Sequence, residues 1–286
     1  VVGTPIGNLE DLSARAVATL RGAALVACED TRVSRVILLR HGFDVPLLSC
    51  HRFNEKVRAR RILEVLAAGG DVALLSDSGT PGVSDPGAAV VEAARAAGFR
   101  VAPVPGPTAA AALFSVSGLE GPFTFIGFLP ARTGERRRAL EALRSEPRSL
   151  VLYESPHRIV RMLRDAAEIL GDRVAILGRE LTKVHEEVRH GTLEELAASV
   201  ERREPRGEFT LVIAAPAPAA GGSGRDSEGD LEAAVEEARA RVLRGEDRKE
   251  ALRHAARAHG VRRRALYARL LGKEAAHGND ENDEEE

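Results

Sequence analysis

Apolar runs of strand length alternate with helical patterns along most of the chain. Ala24–Cys28 is almost continuously apolar and reads as a strand. Val33–Arg40 follows with helical spacing and closes at Gly42, and Val45–Leu48 is a short strand. Glu55–Ala68 sets Val57, Ile62, Leu63 and Leu66 on one face, with Gly69 just past its end, where a helix stop belongs. Further strands are predicted at Val72–Ser76, Val101–Val104, Phe123–Gly127, Leu150–Tyr153, Val174–Gly178 and Phe209–Ala214. Val1-Val2 reads as the tail of another strand, so a few residues are expected to precede it. This strand–helix rhythm predicts α/β architecture with largely parallel pairing.

The rhythm slackens at Ser117–Pro122, which divides the expected fold into one α/β domain over 1–118 and a second over 119–215. Pro216–Asp230, rich in Pro, Gly and Ser, is a linker by composition. A basic helical appendage is expected over 231–273. It has an amphipathic helix at Leu231–Arg244 and two more, Arg248–Ala258 and Arg262–Leu271, around His259-Gly260. Residues 274–286 form an acidic tail, whose end from Asn279 is expected to be disordered.

Composition narrows the class. The chain has 286 residues, 44% hydrophobic and 29% charged, enough for a sizeable core without covalent staples. Two cysteines, Cys28 and Cys50, exclude a disulfide scaffold and a multi-cysteine zinc site and fit a reducing, cytoplasmic setting. No apolar run reaches membrane-span length, and no signal-peptide pattern opens the chain. The net charge of −2 conceals an asymmetry: Arg248–Lys273 holds nine Lys/Arg against one acid, whereas Glu274–Glu286 holds seven acids and no Lys/Arg. A basic arm of this kind fits a nucleic-acid partner as well as it fits a solvated helix face.

The candidate chemistry clusters after the predicted strands. Gly3–Asn8, Glu29–Arg32, Asp77–Gly87, Pro105–Ala109, Tyr153–Arg158 and Arg179–Lys183 each follow or end a strand. Open parallel sheets bind ligands outside their carboxyl ends, so six such loops point to one cleft. The Asp77–Gly87 loop, with three glycines and two prolines, is too long for a mere turn. It lacks the phosphate-loop pattern, and no G-x-G-x-x-G follows the first strand, which makes nucleoside triphosphates and dinucleotides poor candidates. Helix capping by Asp30 or Thr31 accounts for part of the Glu29–Arg32 cluster but not for Glu29 or Arg32. His51, His157 and His185 lack metal-ligand spacing, and no metal is expected.

Taken together the loops resemble a known family. TPIGNL, EDTR, the H-x-x-N-E of His51–Glu55, SDSGTPGVSDPG, PGPTAAAAL, GFLPAR, YESPHR, RELTK and GEF are similar to the motifs of the ribosomal RNA small subunit methyltransferase I family. That family belongs to the tetrapyrrole-methylase-like superfamily. The resemblance runs from Val1 to about Ala215 and resumes in the basic helices around Ala251–Leu271. It implies two α/β domains with S-adenosylmethionine in the cleft between them, a homodimer, and 2′-O-methylation of a cytidine ribose in the decoding centre of 16S ribosomal RNA. It places the cofactor against Pro5, Gly79, Val83, Thr108, Ala109, Leu181 and Thr210, with Asp77 and Ser84 joining them. Cys28 stands where alanine is expected.

Methyl transfer to a hydroxyl needs an aligned approach and a proton acceptor. The candidates are Glu29, Asp30, Glu180 and Lys183, with Asp30 and Lys183 the first choices. Asn54 joins Arg32, Arg158 and Arg179 as substrate-binding candidates, the arginines holding phosphates. Aromatic residues are only 3% of the chain, so an RNA-stacking platform is not expected, and recognition should rest on arginine contacts and be salt-sensitive. The competing readings are a tetrapyrrole C-methyltransferase and a non-catalytic RNA-binding ribosome-assembly factor.

Overall fold

The computed structural model describes residues 1–202, 205–216, 228–259, 261, 265–267 and 269. Val1–Ala215 is one compact unit and Pro216–Glu286 a second. In the first unit the order is α1 (Ala14–Gly22), β1 (Leu25–Cys28), α2 (Thr31–Arg40), β2 (Leu47–Ser49), α3 (Glu55–Ala67), β3 (Val72–Leu74), α4 (Ala88–Ala96) and α5 (Ala109–Ser115). It continues with β4 (Phe123–Phe128), α6 (Thr133–Ala142), β5 (Ser149–Glu154), α7 (Ile159–Leu170), β6 (Val174–Arg179), β7 (Glu187–Thr192), α8 (Leu193–Glu201) and β8 (Phe209–Ile213).

Two sheets result. The first has the order β2-β1-β3 and is parallel throughout. Its side chains alternate: Val26 and Cys28 join a cluster with Ala16, Leu20 and Ile37, while Leu25 and Ala27 join Ile62, Leu74 and Val90 on the other face. The second has the order β4-β5-β8-β6-β7. Here the expectation of largely parallel pairing fails: β8 runs antiparallel to both β5 and β6, and β7 antiparallel to β6. Only β4 and β5 pair in parallel. Strand β7 (EVRHGT) was not foreseen, because this edge strand has one large apolar residue, Val188, and shows no apolar alternation.

The second sheet is covered on both sides. Leu150, Leu152, Leu211 and Ile213 meet α7 and α8, and Val151, Ile176 and Val212 meet Ala110 and Leu113 of α5. Helix α7 buries Ile159, Met162, Leu163, Ala166, Ala167 and Leu170, a stripe at i, i+3, i+4, i+7 spacing. Each such leucine or isoleucine contributes about 1.5–3 kcal/mol by leaving water.

Val1-Val2 and Val101–Val104, expected as strands, form a single parallel bridge, Val2 to Val104. Pro103 and Pro105 remove two of the backbone donors that a longer ladder needs. The segment is still anchored: Val2 N donates to Leu74 O at 2.9 Å and Gly3 N to Val104 O at 3.0 Å.

The second unit pairs α9 (Glu228–Leu243) with α10 (Arg248–Ala258) around Ala234, Val235, Ala238, Leu252, Ala255 and Leu266. The stretch expected as linker thus ends in helix from Glu228 onward, while 217–227 lie outside the described residues. Most of the helix expected at Arg262–Leu271 and the whole acidic tail lie outside them as well. Among the described residues no helix is long and apolar enough to cross a membrane, and no cluster of His, Cys, Asp or Glu could hold a metal ion.

Gly3 and Gly106 lie back to back: a Cβ on Gly3 would stand 2.7 Å from Gly106 N and Cα, which are backbone and cannot swing aside. Gly3→Ala should therefore lower unfolding stability by about 1–3 kcal/mol in urea titrations. Gly22→Ala, whose Cβ meets nothing within 4 Å, should be neutral or stabilising by up to about 1 kcal/mol.

Candidate functional site

The N-terminal loop fixes the long glycine loop. Thr4 is fully buried and exchanges backbone hydrogen bonds with Gly79, N to O at 2.7 and 3.2 Å. Its hydroxyl lies 3.2 Å from both Ser76 O and Gly79 O. Gly79 has φ +79°, and Ser84, without a glycine's freedom, is held at φ +65°. Ser84 fits because Gly127 across from it lacks a side chain: a Cβ there would fall on Ser84 Oγ.

The same N-terminal loop reaches the second sheet. Asn8 N donates to Thr182 Oγ1 at 3.1 Å, and a Cβ on Gly7 would strike Lys183 and Leu181 O. Glu180 and Thr182 are also left-handed, at φ +50° and +66°. The three non-glycine residues at positive φ among the described residues are thus all in strand-end loops, as strain stored at a functional site would be.

Between the two sheets lies a cavity of about 300 Å³, the lower end of ligand-pocket size. Ile6, Val83, Phe128 and Tyr153 form apolar wall, and Asp85, Glu154 and Glu208 supply carboxylates. Val83 and Phe128 are 38% and 54% exposed, an apolar surface that a ligand would cover. Thr108 caps α5 by accepting from Ala111 N, and Tyr153 Oη accepts from Ala110 N, both at 3.2 Å. Thr210 belongs here through sheet topology. Antiparallel β8 begins where β5 and β6 end, in register with Tyr153 and Gly178.

Six of the nine residues expected at the cofactor line this cavity: Gly79, Val83, Ser84, Thr108, Ala109 and Thr210. Three do not. Pro5 is buried, Leu181 is buried in one cluster with Ile6, and Asp77 lines a neighbouring depression with Glu29 and Asp30.

The proton acceptors ranked first are poorly suited to the task. Three hydrogen bonds from the Arg32 side chain and one from its backbone hold the Asp30 carboxyl down at about 2, too weak a base for a hydroxyl proton. Partial burial alone would depress the Lys183 ammonium. Its 2.9 Å bonds to Glu208 and Glu180 outweigh that and push its pKa above the ordinary lysine value, so the neutral form is disfavoured. Burial likewise works to raise Glu180, but a backbone N–H from Glu208 and the Lys183 ammonium bring it below the usual range. Glu180 and Lys183 thus act as a clasp between β6 and the start of β8. Gly207 leaves the slot that the Glu180 carboxylate fills.

The substrate-binding candidates are similarly occupied. Arg158 donates to both oxygens of Glu154, at 2.8 and 2.9 Å, and to Leu129 O. Arg179 donates to Arg206 O at 2.7 Å and faces Glu187, in a small separate depression. Asn54 braces its own turn, accepting from His51 N at 2.8 Å and donating to Ser49 O. Arg32, paired to Asp30, remains 90% exposed.

Sequence reasoning missed Asp85. Burial pushes its carboxyl up to about 7, with repulsion from Glu29, Asp77 and Glu208 adding to this and a Ser76 hydrogen bond opposing it. Its only sequence signal is membership of the Asp77–Gly87 loop, which does not say which carboxylate is desolvated.

Comparison with known proteins decides the family. Residues 1–197 match the model for tetrapyrrole (corrin/porphyrin) methylases. The ribosomal RNA small subunit methyltransferase I of Pseudomonas aeruginosa is 41% identical over 278 residues, 96% of each chain. That of Escherichia coli O157:H7 is 40% identical, covering 95% of this chain and 93% of its own. The chain belongs to the ribosomal RNA small subunit methyltransferase I family. It is a methyltransferase of the tetrapyrrole-methylase fold. Diphthine synthase shares the fold at TM-score 0.60 and 19% identity, covering 75% of this chain and 88% of its own. Uroporphyrin-III-C-methyltransferase of Thermus thermophilus shares it at 0.54 and 23%, covering 74% and 92%.

The Glu154 side chain is 1% exposed, and Arg158 26%. Glu154→Ala should cost about 3 kcal/mol in chemical denaturation, the lower end for a broken buried pair because Arg158 still reaches water. An unchanged unfolding midpoint would show that the pair is not structural.

Proposed function

We propose that the protein transfers a methyl group from S-adenosylmethionine to the ribose 2′-hydroxyl of a cytidine in the decoding centre of 16S ribosomal RNA, acting as a cytoplasmic homodimer on the small subunit. The observation that carries this reading is the likeness to small-subunit methyltransferases over 96% of the chain, the C-terminal helices included. The corrin and porphyrin enzymes share only the fold, over 74–76% of the chain, and their tetrapyrrole chemistry gives no reason for the basic C-terminal segment. A pure RNA binder would have no use for the cavity.

The cavity suits the donor chemically. An adenosyl group fits the apolar surface of Ile6, Val83 and Phe128, and carboxylates suit its cationic centres. Gly79, Val83, Ser84, Thr108, Ala109 and Thr210 would hold it, with Pro5 and Leu181 supporting the wall. The two sheets are read as two lobes, 1–118 and 119–215, closing on it. When bound, the donor supplies a methyl group already activated on a sulfonium. What remains for the protein is alignment and a proton acceptor.

Asp85 is that acceptor in our reading, in place of Asp30 or Lys183. It lines the cavity, and its proton affinity is matched to neutral pH. The groups facing it are Glu29, Asp77, Glu208, Tyr153 and Ser76. As the ribose oxygen takes the methyl group, an Asp85 carboxylate oxygen accepts the hydroxyl proton.

Labelled donor, incubated with unmodified small subunits, should place label in ribosomal RNA as an alkali-resistant dinucleotide. Label in a tetrapyrrole acceptor instead would move the protein to the other branch, and no transfer with donor binding intact would refute the substrate. The rate should rise with pH and reach half its maximum near pH 7. Asp85→Asn should lower kcat by about 10²–10⁴-fold with donor affinity retained.

Stability gives an independent check of the same group. The folded pKa of Asp85 lies above its unfolded value, so stability is full below about pH 4 and is lost as pH rises through about 7. Asp85→Asn should therefore raise Tm by about 2–4 °C at pH 8.5 and leave it unchanged at pH 4.

A further inference from the structure

Beside the cavity, Glu29, Asp30, Thr31, Ser49, His51, Arg52, Phe53 and Asp77 enclose an open depression of about 520 Å³, room for one nucleoside. Phe53 is 93% exposed, and its ring meets that of His51 edge-on at 6.2 Å. This exposure is not slackness of the chain. Phe53 N donates to His51 Nδ1 at 3.3 Å, Asn54 N and Glu55 N donate to His51 O at 2.9 Å, and Asn54 Oδ1 accepts from His51 N. A braced turn therefore holds an aromatic face against water, beside the loops that form the site.

The floor of the depression carries carboxylates, Glu29 and Asp77, and Asp77 Oδ1 accepts from Asp30 N at 2.8 Å. An acidic floor repels phosphate and accepts hydrogen bonds, so it suits a base edge that carries an amino group. Arg52, on its lining, is exposed and available to a backbone phosphate, and Arg32, paired to Asp30, is exposed beside it. The two sites adjoin, because Glu29 and Asp77 both act electrostatically on Asp85.

We infer that this depression receives the nucleobase of the target nucleotide, with Phe53 stacked on its face and the Glu29–Asp77 floor accepting from its exocyclic amine. The inference rests on the methyl-transfer reading above and adds the determinant of base choice. A single ring suffices for one flipped base, so the low aromatic content of the chain does not oppose it. Burial raises both carboxyls, with repulsion from Asp77 adding at Glu29 and a backbone hydrogen bond from Asp30 opposing it at Asp77. A carboxylate oxygen of either accepts from an amine on the pairing edge of the base. Cytosine and adenine present that pairing edge, and uracil does not. Asn54, expected from sequence to touch substrate, becomes a positioning residue that fixes the Phe53 turn.

The test uses the full chain and unmodified small subunits. Phe53→Ala should weaken subunit binding, measured by filter retention without donor, by about 5- to 150-fold, the range for loss of one base stack. The KM for subunits should rise in step. Donor affinity by calorimetry and Tm should stay at wild-type values, and Phe53→Trp should restore binding. Glu29→Gln should lower the preference for cytidine over uridine at least tenfold, measured on subunits reconstituted with uridine at the position that the wild type methylates. Wild-type subunit binding by folded Phe53→Ala, or unaltered base preference in folded Glu29→Gln, would overturn the inference. Failure of the underlying reading would show differently, as absence of label in the RNA with the wild-type protein.

Discussion

The segment Gly3–Asn8 is the constraint on which the rest of the site depends. At one end Thr4 is hydrogen-bonded to Gly79 and Gly3 lies against Gly106. At the other, Gly7 and Asn8 lie against Leu181, Thr182 and Lys183. Six residues thereby tie the long loop after β3, the turn before α5 and the loop after β6 into one assembly. Two glycines make the close approaches possible, and one buried threonine supplies the polar contacts. Strain at Ser84, Glu180 and Thr182 persists because this assembly over-determines their backbones.

Electrostatics within the assembly separates the carboxylates by their partners. Glu180 has Lys183, Glu154 has Arg158 and Asp30 has Arg32, and each of these pairs is internally satisfied. Burial dominates at Glu29, Asp77 and Asp85, which repel one another. The paired groups build the walls and clasps. Burial raises the other three, and Asp85 reaches about 7, where proton acceptance is chemically useful.

Much of the fold was legible along the chain. The apolar runs located β1, β3, β5, β6 and β8, and the period of α7 showed its buried stripe. The strand-end rule directed the Asp77–Gly87 and Pro105–Ala109 loops toward one cleft, and the family resemblance singled out Gly79, Val83, Ser84, Thr108, Ala109 and Thr210, which line one cavity. The misses have physical causes. Strand β7 is a polar edge and carries no apolar period. The antiparallel course of β8 is a matter of chain path and leaves no mark in its own residues. Asp30 and Lys183 look reactive as isolated residues, and nothing in its neighbours along the chain marks Phe53 as exposed.

Local sequence determined the order of elements, the strand-end loops and the family, because periodicity, turn chemistry and motif spacing are properties of neighbours along the chain. Only the tertiary structure decided which acid is spent in an ion pair and which is left to titrate, and which aromatic ring faces water. Those outcomes depend on groups brought together from distant positions, such as Glu180 with Glu208 and Glu29 with Asp77 and Asp85. Coulomb energy and desolvation are set by distance in space, and the insertion of β8 between β5 and β6 fixes part of those distances.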